Sequence, residues 1–284
     1  MLNASEPGDG DRELVRAVGI GKTFERAGRR TPALAGVNLT VARGEFVCLL
    51  GPSGCGKSTL LNVLAGILPY DEGVAEVNGH RIKGPSAERG MMFQSPMLFP
   101  WLTTRENVAF GPKAQRRRSA RSQATRDEID DVLATVGLAG FEEAYPKELS
   151  GGMRHRAAFA RAIISRPSVL LMDEPFGALD AMTRARMQEF LLDMWERFRI
   201  TIVFVTHDIE EAILLGDRVC VMGGRPAGIV EDVPIGLTRP RAYEDLETPE
   251  FLEIKRRIRR TLMPDDGRGR ERARAGAQAK GAHQ

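Results

Sequence analysis

Residues 45–68, EFVCLLGPSGCGKSTLLNVLAGIL, decide the fold. EFVCLL is a short, nearly continuous apolar run, the pattern of a strand buried on both faces of a parallel sheet. GPSGCGKST follows at 51–59 and matches the spacing G-x-x-x-x-G-K-[ST] with Gly51, Gly56, Lys57 and Ser58. TLLNVLAGIL then reads as an apolar helix. A strand, a glycine turn and a helix in that order form a cradle for phosphate. Glycines let backbone N–H groups turn inward around anionic oxygens without Cβ clashes, and the start of the helix adds a favourable dipole. Gly51, Pro52, Ser53, Gly54, Cys55, Gly56, Lys57, Ser58 and Thr59 are therefore the candidate nucleotide-binding loop. Lys57 is expected to reach the β- and γ-phosphates, and the Ser58 hydroxyl to ligate Mg²⁺.

Three more apolar runs of the same kind follow: SVLLM at 168–172, TIVFV at 201–205 and RVCVM at 218–222. Helical patterns separate them, so the expected core is a doubly wound α/β layer, a mostly parallel sheet with helices on both faces. The clearest helix spans 183–198, with Met187, Phe190, Leu191, Met194, Trp195 and Phe198 on one apolar face. Before the glycine loop and just after its helix, LVRAVGI, GVNLTV and VAEVNG alternate or end in turn residues and predict an N-terminal antiparallel β layer. From about 95 to 165 the chain is helical and charged with no buried-strand run, an inserted helical subdomain. After 236 there is room for one amphipathic helix with Phe251, Ile254, Ile258 and Leu262 on one face, within an extension over 236–264. Residues 1–12 and the basic 265–284 are expected to be disordered tails.

The 284 residues and 42% hydrophobic content suffice for a sizeable core. Lys and Arg number 41 against 38 acids, and a net charge of +3 is too small to argue for nucleic acid as a partner. The basic runs QRRRSARS at 115–122 and GRGRERARAGAQAK at 267–280 read as solvated segments, with a binding patch as the alternative. Cys48, Cys55 and Cys220 show neither metal-ligand spacing nor an even-numbered framework, which suits a reducing compartment. The polar, acidic start does not fit a secretion signal. No stretch approaches the ~18 apolar residues of a membrane-spanning helix.

SVLLMDEP places Asp173 and Glu174 at the end of a buried strand, where open parallel sheets bind ligands. Asp173 suits Mg²⁺, and Glu174 is the candidate to polarise an attacking water. His207 in TIVFVTHD also follows a buried strand directly. Either it satisfies a structural hydrogen bond, or it touches the γ-phosphate or holds the attacking water. LSGGMRHRAAFARAIIS, residues 149–165, reads as a helix starting at Ser150, Gly151 and Gly152. Those residues can cap and still leave N–H groups open to an anion. With no lysine of the first loop's kind, this second site complements a nucleotide held elsewhere.

These motifs together resemble the ATP-binding subunits of ABC transporters, over roughly residues 13–235. The resemblance implies a P-loop NTPase core with ATP and Mg²⁺ as cofactors. It implies that Ser150, Gly151, Gly152 and Met153 close over ATP held by the phosphate loop of a second copy, in a head-to-tail homodimer. It assigns Gln94 in MMFQ to sensing Mg²⁺ and the γ-phosphate, Asp180 in GALD to the dimer seam, and His207 to the switch position. Phe24 in GKTF is placed where an aromatic ring stacks on adenine, a core aromatic being the alternative. Phe99, Trp101 and Leu102 would receive a cytoplasmic helix of an integral membrane permease subunit, unless Trp101 packs inside the helical subdomain. The family's usual residue after LSGG is glutamine, so Met153 and His155 are departures. Met153, PWLTTRENVAFG and the ending LTRPRAYEDLETPEFLEIKRRI resemble the branch that imports nitrate, sulfonates and taurine. An extracytoplasmic solute-binding protein would act indirectly, and the subunit would sit peripherally on the cytoplasmic face of the inner membrane. Exporter ATPases and soluble ABC ATPases of DNA repair or translation share the core motifs; neither heptads nor duplication appears here.

Overall fold

The computed structural model describes residues 13–114 and 123–263; the expectations for 1–12, for the run 115–122 and for 265–284 lie outside the described residues. The strands are β1 (Glu13–Arg26), β2 (Arg29–Ala42), β3 (Phe46–Leu50), β4 (Glu72–Val77), β5 (His80–Arg81), β6 (Arg89–Met92), β7 (Val169–Asp173), β8 (Thr201–Thr206), β9 (Arg218–Gly223) and β10 (Gly228–Pro234). The helices are α1 (Lys57–Ala65), α2 (Thr104–Ala114), α3 (Gln123–Thr135), α4 (Gly151–Ile163), α5 (Ala181–Phe198), α6 (Ile209–Leu215) and α7 (Pro249–Leu262).

All four apolar runs are strands of one six-stranded sheet ordered β10-β9-β3-β8-β7-β6. Its pairings are parallel except for β10 against β9 at the edge. All of β3 and β8 is buried, which is why their sequences are continuous rather than alternating. A second sheet, β2-β1-β4-β5, is antiparallel, as the N-terminal pattern predicts. One apolar core lies between the sheets around α1, and the other on the far face of the six-stranded sheet, under α4, α5 and α6.

The register positions the chemistry. Leu50 stands opposite Thr206 across β3 and β8, and Asp173 opposite Val205 across β7 and β8. The residues that leave these three strands therefore emerge side by side at the carboxyl end of the sheet, the ligand-binding end of open α/β folds.

Helix α7 completes the second core rather than decorating it. Phe251 and Ile258 are fully buried, and Ile254 and Leu262 pack partly buried against the same cluster. Phe251→Ala is expected to cost about 3–5 kcal/mol, read as a lower urea midpoint at unchanged slope. A loss below about 1 kcal/mol would mean that the helix docks loosely.

Strand β6 and the exposed end of α5 are among the departures from the sequence reading. Strand β6 was hidden because Arg89 and Gly90 interrupt its apolar character. Phe198, expected on the buried face of its helix, is 40% exposed, because α5 ends there and Arg199 turns the chain away with φ 49°.

Candidate nucleotide site at the ends of the parallel strands

The loop after β3 encloses space as its glycines require. Gly56 has φ 97°, a left-handed value, and directly precedes α1; a Cβ there would stand 3.0 Å from both Ala227 Cβ and Leu34 Cδ2. At Gly51 a Cβ would lie 2.5 Å from the Met222 carbonyl oxygen, so strand β9 can approach only a glycine. A cavity of about 640 Å³ opens over the loop, lined by residues 53–59 together with Phe24, Glu174 and Arg225. That volume falls within the range of small-molecule sites. Lys57 is 4% exposed and its ammonium donates to the carbonyls of Gly51 (2.7 Å) and Pro52 (3.0 Å). The loop thus holds a buried positive charge beside open backbone N–H groups, an arrangement made for phosphate.

Ser58 Oγ donates to Asp173 Oδ1 at 2.8 Å, joining the loop to the end of β7. Burial pushes the Asp173 carboxyl above its ordinary value, and the Ser58 bond opposes that shift. A hydroxyl and a carboxylate are hard oxygen donors of the kind Mg²⁺ takes when phosphates supply further ligands, so these residues fit the ion. Glu174 follows with φ 45°, a left-handed conformation that costs a non-glycine residue about 1 kcal/mol or more. Its N–H still donates to Val205 O at 3.1 Å, and its Oε2 lies 3.1 Å from His207 Nδ1. Gln94 reaches the same corner: a Cβ added at Gly177 would lie 3.4 Å from Gln94 Nε2 and 3.7 Å from Glu174 Oε2. The structure therefore brings Lys57, Ser58, Asp173, Glu174, His207 and Gln94 to one end of the sheet.

The second glycine turn is elsewhere. Ser150 is the N-cap of α4, and its hydroxyl accepts from Met153 N at 3.3 Å. Added Cβ atoms at Gly151 and Gly152 would meet Leu179 and Thr183, at 3.9 and 3.6 Å. None of residues 150–153 lines the cavity over the phosphate loop. Asp180 caps α5 by accepting from Thr183 N at 3.0 Å, and that backbone bond holds its carboxyl below the usual range. His155 has a plain structural account. It is 3% exposed, its ring meets Phe176 edge-on at 6.5 Å, and burial lowers its pKa to about 4, so it is a neutral core side chain.

Phe24 is 42% exposed at the rim of the cavity, which removes the alternative of a core aromatic. Trp101 is 70% exposed, which likewise excludes packing inside the helical region. Phe99 joins it to Phe110 through ring contacts at 5.6 and 4.5 Å, with Leu102 half-buried beside them. This aromatic surface is rigidly supported. Buried Asn107 accepts from Phe99 N and donates to the Phe99, Leu102 and Thr103 carbonyls. Arg161 on α4 donates to the Pro96 and Met97 carbonyls at 2.8 and 2.7 Å. Arg225, in the turn between β9 and β10, is a basic cavity-lining residue absent from the sequence reading. The glycine turn GGRPAG directly after a buried strand was the signal available for it.

Comparison with known proteins agrees with this geometry. The profile of the family described as ABC transporter matches residues 34–177. The chain is 42% identical over 237 residues to the aliphatic sulfonates import ATP-binding protein of Bacillus subtilis, covering 84% of this chain and 89% of that one. It is 46% identical over 246 residues to the nitrate import ATP-binding protein of Synechocystis sp., with 84% and 89% covered. The taurine import ATP-binding protein of Jannaschia sp. is 45% identical over 235 residues, with 81% and 87% covered. Among solved structures, a dimeric ATP-binding cassette in a post-hydrolysis state, bound to ADP and Pi, superposes with TM-score 0.69 at 29% identity, covering 79% of this chain and all of that one. Identity at this level, over nearly the whole length of the relatives, makes this chain a member of the ABC transporter family, one of the ATP-binding subunits whose ATPase activity serves transport.

Proposed function

We propose that this subunit energises import of a small anionic solute of the nitrate, sulfonate or taurine type, through ATP-dependent closure of a head-to-tail homodimer. One observation carries the dimer: the turn 150–153, a helix start capped by Ser150 and suited to an anion, lies outside the cavity of its own phosphate loop. A second copy, turned head to tail, supplies the missing half, and the dimeric cassette that superposes on this chain supports that arrangement. The solute class rests on the likeness to three import ATP-binding proteins.

Within each composite pocket, Lys57 and the N–H groups of the loop bind the phosphates, and Phe24 stacks on adenine. Ser58 and Asp173 would hold Mg²⁺, with Gln94 at its edge; when bound, the ion neutralises charge on the β- and γ-phosphate oxygens. Glu174 accepts a proton from the attacking water, and His207, beside its carboxylate, steadies the γ-phosphate and that water. Ser150, Gly151, Gly152 and Met153 of the facing copy close on the γ-phosphate, with Asp180 at the seam. ADP lacks that phosphate, so only ATP favours the closed state.

Phe99, Trp101 and Leu102 form the dock for a membrane permease subunit, and an extracytoplasmic solute-binding protein acts through that permease. The likeness to import ATP-binding proteins supports a peripheral place, on the cytoplasmic face of the inner membrane; among the described residues no helix is long and apolar enough to cross a membrane. No nucleic acid is involved. The test is co-purification with the permease, followed by ATP-driven uptake in proteoliposomes across a panel of sulfonates, nitrate and taurine. Trp101→Glu should weaken permease binding by at least about 2 kcal/mol, roughly thirtyfold, at unchanged ATP affinity. Full co-purification of that variant would exclude the aromatic surface as the dock.

A further inference from the structure

Among the described residues Glu211, on α6, is the one buried acidic side chain, and it forms no ion pair with any of them. A carboxylate buried in this way is costly unless hydrogen bonds satisfy it. Two do. Thr206 Oγ1 donates to Glu211 Oε2 at 2.5 Å, and Gln188 Nε2 donates to Glu211 Oε1 at 2.7 Å. Burial nevertheless raises the Glu211 carboxyl above its ordinary value.

Thr206 and Asp208 flank His207 in the chain, and one hydroxyl ties them together: Thr206 Oγ1 also accepts from the Asp208 N–H at 3.0 Å. Because Glu211 takes the hydroxyl proton, the lone pairs of Thr206 are turned toward that N–H, and the backbone on either side of His207 is held. The network continues outward. Gln188 Oε1 accepts from the Tyr243 hydroxyl, and Tyr243 stands in the C-terminal extension, on the short helix Tyr243–Glu247. That segment is fastened to α6 by buried Arg241, which donates to the Ile213 and Gly216 carbonyls at 2.8 and 2.5 Å. One turn before Gln188 on α5, Arg184 donates to the Leu179 carbonyl at 2.9 Å and so holds the segment leading to Asp180.

We propose that Tyr243, Gln188 and Glu211 are positioning residues for His207, so that the C-terminal extension sets the geometry of hydrolysis from outside the nucleotide cavity. This rests on the reading of His207 as the switch residue. None of the three lines the cavity over the phosphate loop, so their loss should act on turnover and not on nucleotide affinity.

The test uses the full-length chain and single-turnover ATP hydrolysis. Tyr243→Phe removes only a hydroxyl from a side chain that is 38% exposed, so folding is preserved. It should lower the hydrolysis rate roughly fivefold, the scale of a coupling carried through a network, with ATP affinity and melting temperature unchanged. Glu211→Gln, which keeps one acceptor and offers a donor to Thr206, should retain more activity than Glu211→Ala. In a His207→Ala background, Tyr243→Phe should have no further effect, because nothing remains to be positioned. If His207→Ala alone hydrolyses ATP normally, the reading of His207 fails. If His207→Ala is impaired but Tyr243→Phe matches the parent chain, or costs the same factor in both backgrounds, the positioning network fails while the role of His207 stands.

Discussion

Glu174→Gln should lower ATP turnover by roughly a hundred- to ten-thousandfold, the range a positioned general base contributes, while leaving ATP binding intact. The substitution is nearly isosteric, so the left-handed backbone at φ 45° and the bond from Glu174 N–H to Val205 O are retained. What changes is the ability to take a proton: an amide oxygen is a far weaker base than a carboxylate. The amide also changes the contact with His207 Nδ1, now 3.1 Å from Glu174 Oε2. Since ATP binding closes the proposed dimer and hydrolysis opens it, the variant should accumulate as an ATP-bound dimer. Size-exclusion chromatography with ATP and Mg²⁺ reads this directly. Monomer alone, under conditions where ATP binding is demonstrated, would contradict the head-to-tail scheme; wild-type turnover would remove Glu174 from the role of base.

The second large effect concerns affinity. Lys57→Ala should weaken ATP binding by about 2–5 kcal/mol, the cost of truncating one partner of a buried, hydrogen-bonded charge pair. At about 1.4 kcal/mol per decade, that is roughly thirty- to several-thousandfold in Kd. Lys57 is 4% exposed with its ammonium on the Gly51 and Pro52 carbonyls, so the truncation also frees two acceptors of the loop itself. Equilibrium titration with a fluorescent nucleotide measures the loss, and thermal melting without nucleotide separates it from damage to the fold. An unchanged Kd would mean that the backbone N–H groups bind the phosphates without help from the lysine. The two variants should therefore divide cleanly, one impaired in hydrolysis with ATP bound and the other in binding.

Much of this was readable in the residues because burial on both faces leaves a continuous apolar run, and four such runs are β3, β7, β8 and β9. The phosphate loop was legible for a related reason: its glycines are dictated by space and by positive φ, constraints that leave a mark on sequence. Elements at the margin were not. Strand β6 carries an arginine and a glycine in four residues, and β10 is an edge strand with the acids Glu231 and Asp232 in its middle, so neither shows the apolar signature. His155 looked like an unexplained departure in a functional motif, yet the structure gives it a packing role against Phe176. Arg225 carries only the local signal of its glycine turn, and the Glu211 network depends on residues far apart in sequence meeting in space. Gln188 and Tyr243 are 55 positions apart, and no local period links them.

Arg161 has a mechanical consequence. Its planar guanidinium grips two successive carbonyls beyond Gln94, and its own helix begins at Ser150. With a permease on the proposed tryptophan dock, a push there would reach the opposite end of a thirteen-residue helix, where the diglycine sits. In the proposed assembly, permease and nucleotide would be two loads on a single lever, with the guanidinium as its pin.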